Sequence, residues 1–294
     1  MRIAILGGSG VKDDHFFEGV PWRSFNTKFS GKPYDYNLNY FLSLLSLNWR
    51  GQVEYQEKDD VIFIPKHGNI KRYGPSRTQY GANLIAAKFL GADVVVATTA
   101  VGSLNNAIKP EHIVIPSSYV DESNRNDNLF GEGIVVHTSS RPAFSEGLRE
   151  ILYEVAQQHF KDVHHDGRYV CIPGDRFGTS AEGDKRRNYA DIVGMTICPE
   201  AAMAKQLDLE YACVAFCVDT DDNANHEGQT IVVMNNLSQH APTFFSDVIK
   251  AVRVYKPCSL ERELCGNIIS GDLSRIPNPY LRQIAAGLIE KYKK

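Results

Sequence analysis

Two carboxylates, Asp219 and Asp221, stand one residue apart at the end of an apolar run, residues 211–217. If that run is a buried strand, period-2 spacing puts both acids on one side of it. Carboxylates that close together compete for ionisation, so one can keep its proton near neutral pH. A site that must protonate a leaving group needs such a donor. A turn or helix cap after a strand accounts for the same residues, since aspartate is common there. The segment alone leaves both readings open.

Three other short stretches offer anion-binding chemistry at strand ends. Gly7-Gly8-Ser9-Gly10 allows a tight turn with exposed N–H groups, and Ser9 adds a hydroxyl. It is not a dinucleotide fingerprint, because position 13 is Asp, and no GK[ST] follows for a P-loop. Lys66-His67-Gly68 places a cation and a ring N–H after residues 61–65. Thr98-Thr99-Ala100-Val101-Gly102-Ser103-Leu104 supplies hydroxyls and backbone N–H groups in a glycine-containing turn. Each has a bland reading as a surface turn. Together they suit the crevice at strand ends where open α/β sheets bind ligands. Two strand-to-helix links complete the set. Residues 174–182 carry Phe177, able to cover a flat ring, with Ser180 suited to capping the next helix. Residues 194–200 carry Met195 and Thr196, with Pro199 suited to a first helical turn.

The elements that must position these residues follow from hydrophobic pattern. Residues 3–6, 61–65, 93–98, 113–116, 168–173, 192–195 and 211–218 read as strands. Residues 80–90, 144–160, 200–207 and 235–255 read as helices, with Pro242 near a bend or start, and 279–293 as a final amphipathic helix. The alternation predicts an α/β fold with a mixed central sheet flanked by helices. No linker divides the chain, so residues 1–294 are expected to form one domain. Residues 34–56 and 256–278 fit the alternation poorly and read as additions at a surface or subunit interface.

Composition narrows the function classes. The chain has 294 residues, a formal net charge of -3 and 43% hydrophobic residues, enough for a sizeable core. That charge argues against a general nucleic-acid binder, and Lys185-Arg186-Arg187 reads as a solvated helix face. The six cysteines form no CxxC pair, so no zinc ribbon or thioredoxin motif is expected. Cys171, Cys213 and Cys217 read as small buried hydrophobes. Reduced thiols, the absence of a signal-peptide pattern and the lack of any apolar run near the roughly 20 residues of a bilayer span predict a cytoplasmic protein away from membranes.

The order of these motifs resembles that of the trimeric purine nucleoside phosphorylases, and most closely their 5′-methylthioadenosine phosphorylase branch. Gly7–Gly10, Lys66-His67-Gly68, the 98–104 turn, Arg176-Phe177, Met195-Thr196 with Pro199-Glu200, and Asp219-Thr220-Asp221 all occur in that order. Pro75-Ser76, Tyr80, Ala82-Asn83 and His226-Glu227 strengthen the match, which spans about residues 3–255 and leaves 256–294 as a C-terminal extension. The resemblance implies a phosphorylase/hydrolase-like fold, a homotrimer, and no metal or organic cofactor. It implies cleavage of a purine N-glycosidic bond with inorganic phosphate as nucleophile. By that resemblance Ser9, Lys66, His67, Thr99, the Ala100 backbone and Thr196 would hold phosphate. Met195 would lie against the ribose and Phe177 on the base, with Asp219 and Asp221 facing N7 and the 6-amino edge as the catalytic pair. His226 and Val232 would lie toward the 5′ end of the sugar.

Two aspartates favour adenine over 6-oxopurines, because a carboxylate accepts from a 6-amino group and repels a 6-oxo oxygen. Departures from the family pattern are local. Lys66 stands where an Arg is usual, keeping charge but losing the bidentate fork. Ile172-Pro173-Gly174-Asp175 replaces the usual approach to the base-covering loop, Gly178 and Gly194 replace Ser and Asn, and Asn235 falls in a usually apolar 5′ pocket. The remaining alternatives are a phosphorylase for adenosine, another 5′-modified nucleoside or a 6-oxopurine nucleoside, and a nucleoside-binding protein without catalysis. A NAD-binding Rossmann protein is disfavoured by the incomplete glycine fingerprint.

Overall fold

The first strand shows how the sheet comes to have two buried faces. Ile3–Gly7 (β1) is buried throughout. Its side chains alternate: Ala4 and Leu6 join one hydrophobic cluster, Ile3 and Ile5 a second on the opposite face. The same division recurs in Val94–Ser103 (β5), with Val95 and Ala97 against Val94 and Val96, and in Glu210–Thr220 (β12), with Cys213, Ala215 and Cys217 against Ala212, Val214 and Phe216. Unbroken apolar runs are what strands covered on both faces require. In this computed structural model the described residues are 1–8, 17–26, 51–69, 73–131, 134–221, 226–256, 268–269, 272–276 and 278–292.

β1 pairs in parallel with Val61–Pro65 (β4) on one edge and with β5 on the other. β4 continues through antiparallel Gln52–Lys58 (β3) to Arg23–Asn26 (β2). Beyond β5 lie antiparallel Ile192–Gly194 (β11), then parallel Arg168–Cys171 (β10) and Ser118–Asp121 (β7). β12 runs parallel to β5 on its other edge and pairs with Ile113–Val114 (β6), which in turn pairs with Val163–His164 (β9). Among the described residues this is an 11-stranded mixed sheet; Val135–Val136 (β8) and Ile268–Ile269 (β13) form a separate pair.

Helices Tyr80–Phe89 (α1), Glu200–Gln206 (α4) and Pro279–Tyr292 (α6) bury their apolar faces in one cluster. Glu146–His159 (α2) and His226–Val254 (α5) cover the other. No helix among the described residues is long and apolar enough to cross a membrane.

Several elements differ from the sequence expectation. Gln52–Lys58 is a strand with Val53 and Tyr55 buried, not a surface addition. Its alternation is hidden in the sequence by Gln52, Glu54 and Gln56. The tail is not merely appended either, since Leu281, Ala285 and Leu288 of α6 enter the main cluster. α5 begins at His226 rather than near residue 235, and Pro242 lies inside it. An interior proline costs a helix about 3 kcal/mol. The burial of Leu237, Phe244, Phe245, Val248 and Val252 on the same helix offsets that. Ser180–Arg186 (α3) is capped by Thr179 and not Ser180: the Thr179 hydroxyl accepts from Glu182 N–H, and the Glu182 carboxylate accepts from Thr179 N–H.

One topological detail opens the sheet for a ligand. β5 leaves β1 after the Leu6–Ala97 pair and meets β11 only at the Gly102–Val193 pair. Along residues 98–101 no described strand pairs with that edge, while β12 stays paired on the other. The crevice at this divergence is where the candidate site lies.

Candidate active site

The crevice is a cavity of about 360 Å³. β5 presents Thr99, Ala100 and Gly102 to it. The end of β12 supplies Asp219, Thr220 and Asp221, and the segment after β11 supplies Met195 and Thr196. The loop after β10 brings Phe177 and Gly178, α5 contributes Thr230 and Met234, and His67 and Pro75 lie at the margin.

Both aspartates reach the cavity, through a strand longer than the sequence suggested. β12 stays paired to Thr220, with a register shift against β5 between Cys217 and Asp219. A bulge of this kind re-aims the following side chain. Gly102 makes room: a Cβ there would come within 2.7 Å of Asp219 Oδ1. Asp221 lies over α3, where a Cβ on Gly183 would collide with Asp221 Oδ2. Arg187 Nη2 stands 3.5 Å from that oxygen. An ionised carboxylate is an acceptor only, so Asp221 suits a donor on the ligand.

The basic run at the C-terminal end of α3 is therefore solvated only at Lys185. Arg186 is buried, donating to Glu122 Oε2 at 2.9 Å with Glu182 nearby at 3.8 Å, while Arg187 turns to Asp221. Burial opposes ionisation of Glu122, but the Tyr189 hydroxyl and Arg186 outweigh it and hold its carboxyl below the usual range.

The cavity also holds a pair of hydroxyl groups. Thr99 Oγ1 and Thr196 Oγ1 are 3.1 Å apart, and Tyr169 OH lies 3.3 Å from Thr99 Oγ1. His67 Nδ1 is 3.0 Å from Tyr73 O and 2.9 Å from Thr78 Oγ1. A carbonyl only accepts, so Nδ1 carries the proton in that bond and a neutral His67 has Nε2 as an acceptor. To donate through Nε2 to an anion, the ring must be imidazolium.

Lys66 is not among the cavity-lining residues. It is 1% exposed, with Nζ 2.8 Å from Glu200 Oε1 and donating to Thr98 O at 3.3 Å. Tyr211 OH donates to the same Glu200 oxygen at 2.7 Å. The cation thus bonds to the backbone of β5 and to Glu200 of α4 without lining the cavity. Phe177 lines the cavity yet is 76% exposed, as a lid residue over an open mouth would be. Val232 is 58% exposed and points away: at about 100° per residue it lies opposite Thr230 and Met234 on α5. Ser9 lies outside the described residues, as does the His226 side chain at the start of α5.

Arg125 had no signal in the sequence beyond a charge within a polar stretch. It donates to Met195 O and Cys198 O, each at 2.7 Å, and to Pro173 O. Its guanidinium also lies 5.2 Å from the Tyr80 ring centroid. It ties the Met195 segment to the loop of Phe177. Asp175 ties that loop to the next, accepting from Ser76 Oγ at 2.7 Å. The Ser76 bonds hold the Asp175 carboxyl below its usual range.

Comparison with known proteins accords with this geometry. The profile described as "Phosphorylase superfamily" matches residues 49–252, well over half of the chain. The chain belongs to the phosphorylase superfamily. It is 37% identical over 222 residues to S-methyl-5′-thioadenosine phosphorylase of Hyperthermus butylicus, covering 74% of this chain and 76% of that relative. It is 31% identical over 271 residues to a probable 6-oxopurine nucleoside phosphorylase of Dictyoglomus turgidum, covering 90% and 97% of the two. Among solved structures, a methylthioadenosine phosphorylase sourced from an antarctic soil metagenomic library superposes with a TM-score of 0.75 at 26% identity, covering 95% of this chain and 98% of that one. The phosphorylase α/β fold and the membership of this chain among purine nucleoside phosphorylase-type enzymes agree with the expectation drawn from the motifs.

Proposed function

We propose that this chain is a 5′-methylthioadenosine phosphorylase, cleaving the N-glycosidic bond with inorganic phosphate to give adenine and 5-methylthioribose 1-phosphate. The observation that carries the reading is that Asp219 and Asp221 line a single cavity that also holds the Thr99–Thr196 hydroxyl pair. Phosphate binds among Thr99, the Ala100 backbone, Thr196, His67 and Ser9. Lys66 stays in its buried pair with Glu200, because leaving it would strand a carboxylate, and steadies β5 through its bond to the Thr98 carbonyl. Met195 packs against the ribose, Phe177 closes over the base, and the 5′ end falls to α5, the helix that starts at His226 and brings Thr230 and Met234 to the cavity.

A phosphate oxygen attacks the anomeric carbon as the bond to N9 breaks, and the bonding pair leaves with the purine. Protonated Asp219 delivers its proton to N7, neutralising the leaving base. Asp221, paired with Arg187, accepts from the 6-amino group. Bound phosphate stabilises the cationic ribosyl ring before it attacks. No metal or organic cofactor enters these steps. A homotrimer, a cytoplasmic location and a place in purine salvage complete the proposal.

The test is to incubate the protein with 5′-methylthioadenosine, adenosine and inosine, each with and without phosphate, and to follow free base by chromatography. Phosphate-dependent adenine release from the first is expected. Hypoxanthine from inosine alone would overturn the roles given to the aspartates, and absence of base from all three would favour binding without catalysis. A second reading, adenosine as preferred substrate, is favoured by the Thr230 side chain in the cavity wall, whose hydroxyl suits a 5′-OH. The ratio of the first two substrates decides between them.

A further inference from the structure

Two buried thiols lie beside the active-site wall and take no part in the proposed reaction. Cys171 ends β10, where its register partners are Asp121 of β7 and Gly194 of β11. Cys198 lies in the segment that follows β11 and carries Met195 and Thr196. The two sulfurs and an Asp121 carboxylate oxygen all fall within 4.8 Å of one another. We propose that Asp121, Cys171 and Cys198 form a binding site for a thiophilic divalent cation, with zinc as the natural candidate.

The donor set specifies the ion class. Two sulfurs and one carboxylate suit zinc or cadmium, whereas magnesium and calcium take oxygen ligands. Zinc–sulfur bonds of about 2.3 Å in a tetrahedral site space the sulfurs by roughly 3.8 Å, so the cluster must contract by no more than about an ångström. Asp121 is exposed and opens the fourth position to water.

The surroundings already hold the donor atoms together. Cys198 N–H lies 3.4 Å from Cys171 Sγ as its donor. Asp121 Oδ1 accepts from Ser123 N–H at 2.7 Å, which orients the carboxylate. Arg125, bonded to Cys198 O and Met195 O, places a positive charge beside the cluster. Two thiolates, one carboxylate and a dication carry a net single negative charge, which that guanidinium offsets. Metal uptake releases the thiol protons to solvent and moves no electrons. An occupied site would join the ends of β7 and β10 to the segment bearing Met195 and Thr196. It stands independently of which nucleoside the cavity takes.

The test uses reduced, metal-free full-length protein titrated with cadmium chloride, followed by the sulfur-to-cadmium charge-transfer absorption and by calorimetric stoichiometry. One cadmium per chain is expected, displaced by zinc. Cys171→Ser and Cys198→Ser should each abolish the band, and Asp121→Asn should weaken binding about 10-fold or more. The double variant Cys258→Ser/Cys265→Ser should bind as the parent does. Circular dichroism checks folding, and Asp121→Asn, at an exposed position, keeps the test valid if a cysteine variant fails to fold. The proposal is overturned by absence of a band, by a band that survives in folded Cys171→Ser or Cys198→Ser, or by full affinity in Asp121→Asn. It is also overturned if a diamide-induced Cys171–Cys198 disulfide forms in protein that takes up no cadmium.

Discussion

Arg187 Nη2 lies 3.5 Å from Asp221 Oδ2, while Asp219 packs over Gly102 on the neighbouring strand. Two carboxylates one residue apart in sequence therefore have different surroundings. That difference is what two separate tasks, proton donor and amino-group acceptor, require.

Arg187→Gln should leave Asp221 without its cation and misplace the acceptor. Loss of about 1–2 kcal/mol in a charged hydrogen-bonded contact corresponds to roughly a 5- to 30-fold fall in kcat/KM for adenine nucleosides. Steady-state kinetics against inosine as a control would check it, and an equal effect on both bases would remove base recognition from Arg187.

Asp219→Asn keeps shape and removes the transferable proton. The expected result is a fall in kcat of about 10²–10⁴-fold on adenine nucleosides with KM little changed. Gly102→Ala should act in the same direction by displacing the carboxylate, since the new Cβ would meet Oδ1 at 2.7 Å.

Glu200→Gln tests the buried pair with Lys66. Removing one partner of a buried ion pair costs about 3–5 kcal/mol, so the midpoint of urea unfolding should fall sharply. Lys66→Met with Glu200→Gln together should recover part of that loss. A double variant no more stable than the worse single one would show that the pair is not coupled.

His67 donates to phosphate through Nε2 only as imidazolium, given its Nδ1 bond to Tyr73 O. His67→Asn should therefore raise the KM for phosphate with a smaller effect on kcat. A KM for phosphate unchanged by the substitution would exclude the ring from phosphate binding.

Glu122 has a lowered carboxyl pKa in the folded chain. Its contribution to stability is thus complete above the ordinary glutamate range and is lost as pH falls through the lowered value. Thermal melting of Glu122→Gln should show a deficit at pH 7 that shrinks in acid. A deficit constant down to pH 3 would assign the effect to packing instead.

Much of this was legible in the chain. β1, β4 and β12 announce themselves as unbroken apolar runs because strands buried on both faces need them. Asp219, Thr99, Met195, Thr196 and Phe177, singled out from separate motifs, share one cavity. β3 was hidden because Val53 and Tyr55 are single apolar residues among Gln52, Glu54 and Gln56, with no apolar run to mark it. Lys66 looked like a surface cation because its partner, Glu200, is far along the chain. Arg186 and Arg187 looked solvated because their partners, Glu122 and Asp221, lie on other elements.

The sequence by itself determined the strand cores, the helix faces and the residue types available at each strand end, since these depend on periodicity and local turn chemistry. Only the tertiary structure decided which charges meet. The divergence of β5 from β1 opened the crevice, the β12 register shift turned Asp219 into it, and long-range packing sent Lys66 to Glu200 and Arg187 to Asp221. Such pairings are set by how the sheet brings distant segments together, and no local pattern encodes them.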